Sequence, residues 1–168
     1  MQRPGHPSDV TAFPREVGIA TPSIYWHFSD LGHLVEAVVA DRFQRLDDAL
    51  ADAMETSTDP ARRLRGYCDA YCRFGLEHLG HYQVPFANLG LDPARPGERV
   101  FKRLVAAVDA CIVAGVAPHA DPHVMAVSVW VALHGIVSLG TSRPNHAWPP
   151  VEVPIDAVLS GQVGLPRG

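Results

Sequence analysis

Lysine is almost missing from this chain: Lys102 stands alone beside 13 arginines in 168 residues, and the formal net charge is −4. That balance excludes a broad cationic field of the kind a general polyanion binder carries, and leaves only a local basic surface for any nucleic-acid contact. Cysteine is scarce as well. Cys68, Cys72 and Cys111 are an odd number without secretory context, so reduced core thiols are expected rather than disulfides. No apolar run approaches the roughly 20 residues that a membrane span needs. Met1 to Pro7 is polar, carries two prolines and leads into no apolar stretch, so no secretory leader is expected and the chain reads as cytoplasmic, without a membrane partner. A Gly-x-Ser-x-Gly elbow, a phosphate-cradling glycine loop, a dinucleotide fingerprint and an HExxH motif are all lacking. Neither an enzyme nor a cofactor is expected.

What is present is helix grammar. The chain is 47% hydrophobic and 19% charged, the balance of a globular protein, and 168 residues can bury a core either as one domain or as a small head on a larger body. Leu31, Leu34, Val35, Val38, Val39, Phe43, Leu46, Leu50 and Met54 recur at steps of three and four, which predicts one long amphipathic helix of about 25 residues capped by Ser29 or Asp30. Asp59-Pro60 and Asp121-Pro122 repeat one start signal, an N-cap followed by proline at the first helical position, also seen at Thr21-Pro22. The first opens a helix that weakens near Gly80 and Pro85. A Pro- and Gly-rich loop over Gly90 to Gly97 precedes a helix of about Glu98 to Ala114. The helix from Pro122 to about Leu139 is apolar on nearly every face and must be covered on all sides, for which a second subunit is a natural source. A short last helix is expected from Pro154 or Ile155 to Ser160. With no strand pattern and no internal repeat, the expected fold is all-α.

Val17 to Phe28 reads as a helix, a glycine turn at Gly18 and a second helix capped at Thr21. Taken alone, this suits an ordinary helical hairpin with an aromatic packing patch better than a DNA reader. The run Gly18-Ile19-Ala20 followed by Ile24-Tyr25-Trp26-His27-Phe28, however, resembles the recognition segment of the TetR family of transcriptional regulators. The resemblance implies that Tyr25 and His27 hold phosphates while Thr21, Pro22, Ser23 and Trp26 face base edges of double-stranded operator DNA. It also implies a helix-turn-helix head over residues 1–45, a ligand-sensing and dimerising helical body over 46–168, and a long helix that joins them.

A second resemblance lies in Trp130-x-x-x-His134-Gly135, a signature of one TetR subfamily's regulatory domain, here called WHG-type after those residues. It implies a homodimer whose interface includes or adjoins Trp130, His134 and Gly135. A small-molecule pocket between the middle helices is implied too, with Tyr67, Tyr71, Phe74, His78 and Phe101 as candidate lining and Tyr82 and Phe86 nearby. The bland reading of those aromatics is core packing, and that of His134 a hydrogen-bonded core histidine. Cys68-x3-Cys72 with His78-x2-His81 invites a metal, but His78 lies roughly 9 Å along the axis from Cys72, so no metal site is expected. His119 and His123 straddle a helix start and are expected in solvent.

Three departures from the family fall in the head. Only 16 residues precede Val17, too few for the family's first helix, so the head is expected to be N-terminally incomplete. Pro14 would cost about 3 kcal/mol inside a helix unless the helix begins there. Leu31 stands where the family often carries a phosphate-binding lysine. Residues 1–45 carry four arginines against five acids. The expected function is therefore a TetR-like repressor released by a small-molecule effector, with a truncated ligand-binding or dimerising relative of weak or no operator binding as the alternative.

Overall fold

A computed structural model describes residues 31–78 and 94–166. The chain divides into two compact units, Met1–Ala40 and Asp41–Gly168, and only residues 31–40 of the first are described. The expected recognition segment, with Thr21, Pro22, Ser23, Tyr25, Trp26 and His27, lies outside the described residues, as do Pro14, His81, Tyr82 and Phe86.

The described residues are all helical, without a strand: α1 (Leu31–Glu55), α2 (Pro60–His78), α3 (Ala94–Val113), α4 (Pro122–Ser142) and α5 (Glu152–Val158), the last running into a π-helical turn over Leu159–Val163. α1 has the 25 residues its periodicity predicts. The two described start signals work as read. Asp59 Oδ1 accepts from the Arg62 amide at 2.9 Å, and Asp121 Oδ1 accepts from the His123 and Val124 amides at 2.8 and 3.3 Å, satisfying donors that no earlier turn can reach. α3 starts at Ala94, four residues before the expected Glu98, with Pro96 inside its first turn, where a missing amide breaks no helical bond. α4 runs to Ser142 rather than Leu139. The last helix also overshoots its expected end: it passes Gly161 and stops at Gly164, whose φ of 75° is left-handed backbone open to glycine.

One core joins these helices. Leu50, Leu64, Tyr67, Leu104, Val108, Leu133 and Ile155 are fully buried within it. α2 sits centrally, packed on α3, α4 and α5. Its stripe of Leu64, Tyr67, Cys68, Tyr71 and Cys72 faces inward, and Arg65 on another side bonds Asp69 at 2.9 Å and reaches Asp156 of α5. Two glycines set how closely helices approach α2. A Cβ on Gly66 would stand 2.8 Å from the Ala53 carbonyl oxygen of α1, and one on Gly75 would stand 2.6 and 2.7 Å from the two methyls of Val137 on α4.

All three cysteines are free and buried. Desolvation, reinforced by the Asp69 charge, pushes the Cys72 thiol up to about 12, and desolvation with the Asp59 charge pushes Cys111 up to about 11. Burial likewise raises Cys68, Tyr67 and Tyr71. The ordinary thiol value is 9.0, so between about pH 9 and 11 the unfolded chain releases protons that the native chain keeps, and stability falls as pH rises. Urea melts should give a stability that is level below pH 8 and declines above pH 9, with a shallower decline in Cys111→Ala. A decline of the same slope in that variant would refute the assignment.

α4 departs from the expectation that no segment approaches membrane-span length. From Pro122 to Ser142 it carries no Asp, Glu, Lys or Arg and is long and apolar enough to cross a membrane by length and composition. Its inner face is part of a protein core: Met125, Ala126, Val129, Leu133 and Val137 are buried. Its outer face is bare.

Candidate functional site

The bare face of α4 has a register of its own. Val124, Ser128, Val131, Gly135, Ser138 and Ser142 follow one another at steps of 4, 3, 4, 3 and 4 residues, the spacing of a helix-helix seam. Val124 and Val131 are 61% and 65% exposed, and Val127 and Leu139 flank the seam with 41% and 46% of their surface in solvent. A Cβ at Gly135 would meet no atom within 4 Å. Among the described residues, the close approach expected at Gly135 is therefore not made. The seam is about 27 Å long, and its small residues (Ser128, Gly135, Ser138, Ser142) allow a facing helix to come near, while the valines supply apolar surface that gains by leaving water.

Beside the seam, on the flank turned toward α2, lies an aromatic cluster. Tyr71 is its centre: its ring stacks on Tyr67 at 6.4 Å and tilts against Trp130 at 5.4 Å and His134 at 5.5 Å. Phe101 of α3 meets Trp130 edge-on at 5.5 Å and His123 at 5.3 Å. The His134 tautomer follows from its partners. Nδ1 lies 3.0 Å from the Trp130 carbonyl, which can only accept, so Nδ1–H donates there and Nε2 is left to accept from the Tyr71 hydroxyl at 3.2 Å. Trp130 and His134 stack at 4.5 Å, as their four-residue spacing on one helix requires.

The structure thus unites Tyr71, Phe101, Trp130 and His134 from three helices, with Tyr67 stacked beneath Tyr71, and separates Phe74 and His78 from them. Tyr67 is fully buried and its hydroxyl donates to the Val100 carbonyl at 3.0 Å, which uses it as a strut between α2 and α3. Phe74 and His78 stack on each other at 4.6 Å and line a groove of about 500 Å³ between α1 and α2 with Asp52 and Arg73. Cys68 and Cys72 point into the core while His78 Nδ1 bonds the Phe74 carbonyl, and among the described residues no three His, Cys, Asp or Glu side chains come together to hold a metal. His119 and His123 are exposed.

Two features escaped sequence reasoning. The outer seam was masked because α4 is apolar all round, although its 4-3 repeat of small residues was readable. A second groove, of about 400 Å³, is lined by cations of α2 and α3. Its only sequence signal is Arg99-x-x-Lys102-Arg103 on one helix, a pattern most exposed helices share.

Comparison with known proteins agrees with this architecture. The model of the family described as tetracyclin repressor-like, C-terminal domain, matches residues 64–159, more than half of the chain. The chain belongs to the tetracyclin repressor-like family. Among solved structures it shares its fold with a protein of unknown function from Rhodococcus sp. RHA1, with a TM-score of 0.75 and 23% identity over 93% of this chain and 85% of that one. No curated protein matches.

Proposed function

We propose that this chain is a homodimeric transcriptional regulator that represses from an operator and is released by a small-molecule effector. The observation that carries the reading is the bare α4 seam, which lies with Trp130, His134 and Gly135 inside the family-matched region. A helix whose inner face builds its own core and whose outer face keeps a coiled-coil register of small and β-branched residues is suited to a second copy of itself. The Trp130-x3-His134-Gly135 signature supports assignment to the WHG-type subfamily, and residues 1–45 and 46–168 serve as the DNA-reading head and the sensing and dimerising body.

In this reading Thr21, Pro22, Ser23 and Trp26 face base edges, and Tyr25 and His27 hold phosphates. The cluster of Tyr71, Phe101, Trp130 and His134, flanking the seam, is the part of the body where an effector's contacts would be felt at the interface. Effector binding favours a body conformation in which the two heads no longer match successive major grooves.

A gel-shift with the DNA upstream of its own coding sequence tests this. Specific retardation is expected, weakened about tenfold or more in Tyr25→Ala and His27→Ala as phosphate contacts are lost. A second reading, a dimerising relative with weak or no operator binding, is favoured by the excess of acids over arginines in residues 1–45. It prevails if the dimer forms and no specific retardation occurs.

A further inference from the structure

We infer that the groove between α2 and α3 binds a small organic anion, its charge carried by carboxylate or phosphate groups. Four cationic side chains line it: Arg63 from α2 and Arg99, Lys102 and Arg103 from α3. The chain's single lysine is among them, in a protein whose net charge is −4. Three carboxylates act on these cations, the third being Asp48 of α1, whose charge reaches Arg103. Glu98 bonds Lys102 at 2.6 Å with both side chains in solvent, and Asp47 of α1 stands behind Arg99 and Arg103. One positive charge remains in excess over a space of about 400 Å³.

The arginines are positioned rather than merely crowded. Asp47 is 5% exposed and accepts from Arg103 Nε at 2.9 Å, an arrangement that fixes the guanidinium by its inner nitrogen and leaves its terminal nitrogens for another acceptor. Gln44 Oε1 accepts from a terminal nitrogen of Arg99 at 2.6 Å, which braces the second guanidinium. Arg63 has no side-chain partner among the described residues. The remaining lining is small and apolar, Ala106 and Ala110 with Met54 at the edge, so the groove has room beside the cations for the carbon part of a ligand. Helical geometry puts Arg99 and Arg103 about 6 Å apart along α3, close enough to share one compact anion, with Ala106 and Ala110 beyond them for its carbon part.

The inference is independent of the operator reading, since its test involves no DNA. The full-length protein is titrated calorimetrically with inorganic pyrophosphate and, separately, with citrate, against sodium chloride at matched ionic strength. Saturable binding at one site per chain is expected for at least one of the two, and which one binds assigns the ligand to phosphates or carboxylates. Arg63→Glu and Lys102→Glu, neither of which is bonded to the buried Asp47, should each weaken that binding about tenfold or more. Circular dichroism establishes that these variants fold, and Arg63→Lys, which keeps the charge, should retain most of the affinity. Absence of saturable heat with both anions, or binding unchanged in the two charge-reversed variants, overturns the assignment.

Discussion

In the proposed dimer, Val131→Glu should break the α4 pairing and leave a monomer. Val131 is 65% exposed at the middle of the α4 seam, one heptad from Val124 on one side and Ser138 on the other. In a paired seam it would be desolvated against its symmetry mate, and a glutamate there brings two like charges together without partners. A loss of about 3 kcal/mol or more, roughly a hundredfold in the dimer dissociation constant, is the expected scale. Because the residue faces outward, the folded monomer itself should lose little. Sedimentation velocity at micromolar protein reads the first effect and far-ultraviolet circular dichroism the second. A wild-type monomer under the same conditions, or an undiminished dimer in the variant, would reject α4 as the interface. Loss of operator retardation in Val131→Glu would tie the seam to the regulatory reading, since two linked heads are what a palindromic site requires.

Gly75→Ala should lower stability by about 2–3 kcal/mol, a drop of several degrees in melting temperature for a chain of this size. The added methyl would meet both Val137 methyls at 2.6 and 2.7 Å, closer than carbon atoms pack, and a β-branched side chain in a helix has one favoured rotamer and cannot swing aside. Either α2 and α4 separate or a rotamer is strained. The double variant Gly75→Ala, Val137→Ala removes the obstruction, so it should be more stable than the sum of the single changes predicts, and a double-mutant cycle measures that coupling. Strict additivity would show that the helices relax without cost. The contact also bears on the proposed dimer seam, for Val137 belongs to the inner face of the helix whose outer face carries it, and a shift of α4 moves both faces together.

Most of the helical layout was readable because its signals are local. Asp59-Pro60 and Asp121-Pro122 each bring a cap and a preset φ within two residues, and the apolar rhythm of α1 needs no neighbour to be recognised. The start of α3 was misplaced because Pro96 and Gly97 carry the same signal in a loop and in a first helical turn. What distinguishes the two is tertiary: a Cβ at Gly97 would touch the Phe43 ring at 3.4 Å, so α3 begins where it packs on α1.

The candidate site was legible in composition and not in grouping. Tyr71, Phe101, Trp130 and His134 lie on three helices separated by tens of residues, and only the packing of α2 on α3 and α4 makes them neighbours. Tyr67 and Tyr71 share a helix face and a residue type, yet one hydroxyl is used up on a backbone carbonyl and the other on a histidine, a difference set by what lies opposite each.

By itself the sequence determined the all-helical class, the two described capped starts, and the family resemblance later matched over residues 64–159. These depend on hydrogen bonds and periodicities spanning a few residues. Only the tertiary structure decided which face of the uniformly apolar α4 is buried, because a helix without polar residues carries no internal instruction about its orientation and its neighbours must supply one. The same is true of the four cations of α2 and α3, whose convergence on one groove is a property of two helix surfaces meeting.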